Sequence, residues 1–309
     1  MEYHIPIMLK QTMDVLLPKS DGVYLDATLG GGGHSLEILK RSSPNGKVIG
    51  LDLDYDALKS AGEKLSHFGN RVITVHSNYK DACKVLDSLG IQYLDGAIMD
   101  LGISSHQIDE ASRGFSYTKD AQLDMRMDQS QSLTAYKVVN EYSQKKLIEI
   151  LYQYGEENFA KRIVANIIEA RAVSPINTTL ELADLISKSV PKKQLKHGHP
   201  AKKTFQAIRI EVNQELEGLG QAVESIIGRL KKGGRIAVIT FHSLEDRVVK
   251  QLFKTESTDC ICDKSMPICS CGHKASIKLI TNKPIVSNEE ELKNNTRAAS
   301  AKLRAAEKL

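Results

Sequence analysis

Residues 23–41 read VYLDATLGGGGHSLEILKR. An apolar run broken only by Asp26 leads into four consecutive glycines, Gly30–Gly33, and then into a segment of helix length. Glycine loses more backbone entropy on folding than any other residue. Four in succession therefore mark a place where the chain turns sharply or lets something approach its backbone. A strand that ends in a glycine-rich loop and opens a helix is how many open α/β folds hold a nucleotide.

The alternation continues outward. KVIGLDL (47–53) is followed by DALKSAGEKL (56–65), RVITVHS (71–77) by YKDACKVLDSL (79–89), and then comes YLDGAIMDLG (93–102). Each apolar run is short, rich in branched residues and bounded by Gly, Asp or Asn, and each intervening segment is helix-length. Successive βα units of this kind predict a largely parallel, doubly wound sheet. A short helix is expected before them, over Met8–Leu17.

From about residue 108 to 203 no buried-strand pattern is found. SQKKLIEILYQYG and EENFAKRIVANIIEA carry helical periodicity instead, with Phe159, Ile163 and Ile167 on one face beside Val164 and Ile168. TTLELADLISKSV offers Thr178 or Thr179 as a helix N-cap, with Glu181 in the first turn. Strand signals return at GGRIAVITF (233–241) and again in SIKLITNKPI and SAKLRAAEKL. The expected organisation is a discontinuous α/β domain, 1–107 with 202–309, and an inserted helical domain over 108–201.

The chain has 309 residues, 41% hydrophobic and 26% charged, with a formal net charge of +4. No run is apolar enough to span a bilayer and the start has no signal-peptide core, so a cytoplasmic location is expected. Four of the five cysteines fall in one short stretch, which argues against a dispersed disulfide framework. A homodimer is compatible with the sequence, which leaves the oligomeric state open.

The glycine loop departs from a dinucleotide fingerprint. Gly30 and Gly32 fit the first two positions of G-x-G-x-x-G, but Ser35 occupies the third, and Asp26 lies inside the strand. A carboxylate there repels a pyrophosphate and suits a ligand without phosphate, such as S-adenosylmethionine with its sulfonium and ammonium. Asp52 closes the next strand, where an acid accepts hydrogen bonds from ribose hydroxyls. Tyr79 follows the third strand, where its ring is expected to lie near an adenine, and Asp100 ends the fourth.

DATLGGGGHS, DLGISS, RGFSYTKDAQLDMRMD, YGEENFAKRI, HPAKKTFQAIRIEVNQEL and TFHSLEDRVVK resemble the bacterial small-subunit ribosomal RNA cytosine-N4 methyltransferases, the RsmH/MraW family, in the same order over nearly the whole chain. The resemblance implies a class I S-adenosylmethionine-dependent methyltransferase, Rossmann-like, with an inserted helical substrate-recognition domain. The implied reaction methylates the exocyclic N4 of a cytidine in the decoding region of 16S rRNA, free or within the small subunit. Carried onto this chain, the cofactor contacts are Gly32, Gly33, His34, Asp52, Tyr79, Asp100 and Gln107. His106 stands where the family usually has Pro, which leaves open the path of the loop that presents Gln107.

Methylating an exocyclic amine calls for alignment and for an acceptor that draws on an N–H. Asp100 is expected to bridge cofactor and substrate in that role, with Phe115 or Tyr117 as a stacking surface for the base. In FHSLEDR (241–247), Ser243 is expected to cap a helix with Asp246 as its partner, and His242 to lie near the substrate. No acid occurs between Asp184 and Glu211, a window that holds Lys188, Lys192, Lys193, Lys196, Lys202, Lys203 and Arg209. It is read as an RNA-contacting track that Arg113, Arg126, Arg297, Lys302 and Arg304 extend. Cys260, Cys262, Cys269 and Cys271 form a C-x-C…C-x-C set that is either a structural zinc site or four reduced thiols. Two rival readings remain: a non-catalytic RNA-binding ribosome assembly factor on the same fold, and a nicotinamide dehydrogenase, which Asp26 and Ser35 disfavour.

Overall fold

A computed structural model of the chain describes residues 6–191, 198–263, 266 and 268–309. In chain order its elements are α1 (Leu9–Leu16), β1 (Val23–Asp26), α2 (Gly33–Arg41), β2 (Lys47–Asp52), α3 (Tyr55–Leu65), β3 (Val72–His76), α4 (Ala82–Ser88) and β4 (Leu94–Asp100). Six helices follow: α5 (Ser105–Asp109), α6 (Ala135–Glu141), α7 (Gln144–Gln153), α8 (Ala160–Val173), α9 (Thr179–Ser189) and α10 (Ala201–Asn213). The chain then forms α11 (Leu219–Gly228), β5 (Leu230–Thr240), α12 (Ser243–Glu256), β6 (Ile277–Leu279), β7 (Ile285–Val286), α13 (Glu289–Asn294) and β8 (Lys302–Lys308).

It divides into two compact units, residues 1–102 with 217–309, and residues 103–216. The first is a mixed α/β unit with strand order β3-β2-β1-β4-β5-β8-β6, and β7 also pairs with β8. β3, β2, β1, β4 and β5 are mutually parallel, while β8 runs antiparallel to β5, β6 and β7. The chain steps outward from β1 to β3 and then returns to place β4 on the other flank of β1. That reversal is the topological switch point beside which ligands of open α/β sheets bind. Leu25, Val48, Ile49, Ala97, Ile98 and Val238 are buried to the last few per cent, the near-continuous apolar character of strands covered on both faces.

The second unit is helical, and its extended backbone pairing among the described residues is one isolated bridge, Gln122 with Thr178. Ile163, Val164 and Ile167 of α8 are buried, with Phe159 and Ile168 packed at the margin, as the helical period predicts. Thr178 caps α9: its hydroxyl accepts the Glu181 N–H, and Glu181 reaches back to the Thr178 N–H. The units divide near 102 and 216, whereas the sequence suggested 107 and 201. α10 packs against α6, α7 and α9 through buried Phe205, Ala207 and Ile208. Its apolar face therefore belongs to the helical core.

Candidate cofactor site

Because β1, β2 and β4 are parallel and adjacent, their last residues, Asp26, Asp52 and Asp100, come together at one edge of the sheet. The glycine loop is stapled to both neighbours of β1. Leu29 N–H donates to Leu51 O at 2.8 Å, Ala27 N–H to Ile98 O at 2.9 Å, and Asp100 N–H to Thr28 Oγ1 at 2.6 Å. Gly30 and Gly32 take left-handed φ values of 50° and 72°. A Cβ on Gly32 would lie 3.2 Å from Ala61 Cβ, and one on Gly33 would meet the Pro6 ring at 2.9 Å. The glycines thus satisfy a backbone turn and close contacts with the protein's own residues.

Each acid has a different set of partners. Asp52 accepts the Gly30 N–H at 2.7 Å on one oxygen and the Asp54 N–H at 2.9 Å on the other, which anchors the loop to β2. Asp26, 1% exposed, accepts the Ser35 hydroxyl at 2.6 Å and the Thr28 N–H at 3.3 Å. Ser35, the residue that breaks the dinucleotide pattern, is therefore the partner of the acid that argues against a pyrophosphate. Asp100 faces His34 Nδ1 at 3.8 Å, and His34 donates through Nε2 to Ile7 O at 3.1 Å. The Asp100 Oδ1 atom is buried with no hydrogen-bond partner among the described residues.

Burial pushes the Asp26 carboxyl up to about 6, with the Ser35 and Thr28 hydrogen bonds pulling against it and the Asp52 charge adding to it. Burial also raises Asp52. Asp100 is pushed well above the usual carboxylate range by burial, then by the charges of Asp26 and Glu245. The sheet edge gathers three carboxyl groups whose ionisation burial opposes, a cationic ligand favours and a pyrophosphate would disfavour further. Three carboxyl groups at one sheet edge suit a ligand that carries a sulfonium and an ammonium, as S-adenosylmethionine does, better than one that carries a pyrophosphate.

The other expected site residues fall in several places. Tyr79 opens a short 3-10 turn after β3, positioned by Asn78, whose side chain accepts the Lys80 N–H. Gln107 belongs to the helical unit, where it and Ser104 form a capping box at the start of α5. Arg113 is 2% exposed and donates to the Arg126 and Met127 carbonyls at 3.0 Å. Phe115 is 7% exposed within the helical core. A side chain so enclosed offers neither a phosphate contact nor a face to a base. Arg209 is held in a bidentate pair with Glu215 at 2.7–2.8 Å, and Arg126 in another with Asp124. Arg304 is buried against Asp246 at 2.7 Å, where Lys302 also approaches. Lys192 and Lys193, with Lys196, lie outside the described residues.

The cap of α12 corrects the expectation for Ser243. His242 is the N-cap, its Nδ1 accepting the Glu245 N–H at 3.4 Å. Glu245 returns Oε2 to the N–H groups of Phe241 and His242. Asp246 is drawn away to Arg304, so it is not the capping partner. Glu245 is also the site acid that sequence reading missed, although its place three residues after a cap was a usable signal.

The whole sequence, residues 1–309, matches the MraW methylase family. A ribosomal RNA small subunit methyltransferase H from Clostridium botulinum strain Kyoto is 54% identical over 306 residues, 99% of both chains. Proteins of the same name from Carboxydothermus hydrogenoformans (99% of this chain, 98% of the relative) and Clostridioides difficile (99% of both) are 53% and 50% identical. With an acid-rich crevice at the switch point of its sheet and identity of this extent over its full length, the chain belongs to the MraW methylase family.

Proposed function

We propose that this protein transfers the methyl group of S-adenosylmethionine to the exocyclic N4 of a cytidine in the decoding region of 16S rRNA. The observation that carries the reading is the acid crevice, above all the unpartnered Oδ1 of Asp100 at the end of β4. Asp52 would hold the ribose, the glycine loop and Tyr79 would flank the nucleoside, and Asp26 and Asp100 would face the positive end. When bound, S-adenosylmethionine supplies an electrophilic methyl group on a sulfonium. The cytosine amino group is a poor nucleophile because its lone pair is delocalised into the ring. With the cationic cofactor bound, Asp100 would ionise, and its carboxylate would accept a hydrogen bond from N4–H, orient the amine, restore density to the nitrogen and take the proton that N4 gives up.

Asp100→Asn should abolish most methylation, read by mass spectrometry of rRNA after incubation with isotopically labelled cofactor. Wild-type turnover with normal cofactor affinity in that variant would remove Asp100 from the mechanism. An unmethylated product from wild-type protein that still binds rRNA would instead mark a non-catalytic assembly factor. We read the location as cytoplasmic, from the substrate; among the described residues no helix is long and apolar enough to cross a membrane. Light scattering distinguishes a monomer from a homodimer.

The cofactor set also includes a structural zinc ion at Cys260, Cys262, Cys269 and Cys271. Their Sγ atoms lie within 4.8 Å of one another, with Cys269–Cys271 at 3.6 Å and Cys260–Cys271 at 3.8 Å. Four thiolates at ~2.3 Å from zinc define a tetrahedron with edges of about 3.8 Å. The Ser270 N–H donates to Cys262 Sγ at 3.4 Å, which supports a ligating thiolate. The cluster lies between α12 and β6, so the ion would staple that loop. Elemental analysis of freshly reduced protein should return one zinc per chain, and none would refute the site.

A further inference from the structure

Tyr117, in the segment RGFSY, lies nearly parallel to His199, with ring centroids 4.4 Å apart and planes 22° apart. The same tyrosine meets Phe205 edge-to-face, at 5.7 Å and 86°. Phe205 is buried in the helical core, Tyr117 is half-buried and His199 is exposed, so the three rings form a column from the core to the surface. Local backbone fixes the outermost ring. Gly198 turns the chain with φ 113°, and His199 Nδ1 accepts the Ala201 N–H at 3.2 Å at the opening of α10. The imidazole thereby has a set tautomer and a set plane. Lys202 and Lys203 are exposed on the first turn of the same helix.

An aromatic ring held rigidly at the surface, with the exposed Lys202 three residues on and its backbone N–H on the His199 carbonyl, has the chemistry that receives an unpaired base. The ring offers a π face, and the cation follows the attached phosphates. We propose that His199, backed by Tyr117, is a stacking platform for an unpaired base of the RNA substrate. This rests on the rRNA reading above and adds a contact that Phe115, enclosed in the core, does not supply.

His199→Asn keeps a side-chain acceptor for the Ala201 N–H and discards the ring, while His199→Phe keeps the ring. With a single-stranded rRNA fragment, His199→Asn should raise KM about tenfold, in line with base–aromatic stacking. Its kcat, its affinity for S-adenosylmethionine and the salt slope of RNA binding should stay as in wild type. His199→Phe should restore KM. Fluorescence of 2-aminopurine placed in the fragment should be quenched by wild type and His199→Phe, and less by His199→Asn. Unchanged RNA affinity in His199→Asn overturns the platform while leaving the rRNA reading intact. So does a loss that comes with a shallower salt slope, which marks a phosphate contact. Wild-type protein that neither binds nor methylates the fragment or the small subunit overturns the rRNA reading, and the platform with it.

Discussion

Asp26 shows how one buried side chain couples stability to ligand choice. Its folded value of about 6 lies above the ordinary 3.8, so the folded state holds the proton more tightly than the unfolded chain. The stabilisation is fully present below about pH 4 and is lost as pH rises through about 6. Ser35 opposes this by donating to the ionised carboxylate. Ser35→Ala should therefore cost about 1–2 kcal/mol, more at pH 7.5 than at pH 5, when urea unfolding is compared at the two pH values. Equal losses would mean that the hydroxyl does not discriminate between the protonation states. The same acids govern binding. A cationic ligand favours the carboxylates, so affinity for S-adenosylmethionine should tighten as pH rises from 5 to 7, with protons released on binding. Calorimetry in buffers of different ionisation enthalpy reads that release, and proton uptake would contradict the assignment of the crevice to a cation.

At the scale of elements, the start of α12 shows what a cap contributes beyond its helix. Glu245 satisfies two backbone N–H groups, at 2.8 and 3.2 Å, and its charge adds to the field that raises Asp100. Glu245→Ala should cost roughly 2–3 kcal/mol by leaving those donors buried without an acceptor. Glu245→Gln should cost less and should also let Asp100 ionise at lower pH, seen as an acid shift in the pH profile of cofactor binding. A Gln variant as unstable as the Ala variant would assign the whole effect to charge. Reading the sequence favoured Ser243 here because serine is the commoner cap, and an imidazole nitrogen serves only if the ring is turned the right way. β1 to β5 were legible because branched apolar runs bounded by Gly and Asp depend on local chain chemistry. The position of β8 between β5 and β6 was not, since antiparallel pairing of Leu303 with Ile239 joins distant segments. Arg113 looked like a phosphate ligand for the same reason: the carbonyls that enclose it come from residues 126 and 127.

For the whole molecule, 42 basic and 38 acidic residues leave a formal charge of only +4, so attraction to a polyanion depends on which cations remain uncommitted. Four of the five arginines expected to contact phosphate, all but Arg297, prove to be committed elsewhere. Arg113, Arg126, Arg209 and Arg304 each spend their guanidinium on the protein's own carbonyls or carboxylates. The planar fork that suits phosphate equally suits a bidentate internal pair, and burial strengthens the internal choice. Lysines behave differently: Lys188 and Lys202 are exposed, and Lys203 is exposed while donating to the Glu156 carbonyl at 2.9 Å. Each ammonium that touches an RNA phosphate releases roughly one condensed counterion, so losing one phosphate contact flattens the salt slope by about 1. Lys202→Glu with Lys203→Glu should therefore weaken rRNA binding and flatten its dependence on log salt by about 1–2, at a cost in stability of about 1 kcal/mol for the lost bond to the Glu156 carbonyl. Arg209→Ala should do the reverse. It removes the bidentate partner of Glu215 and destabilises the helical unit by roughly 3 kcal/mol, as breaking a buried pair does, while the salt slope of the folded protein stays as it was. A flattened slope in Arg209→Ala, or an unchanged one in the double lysine variant, would reverse this division of labour between the two kinds of cation.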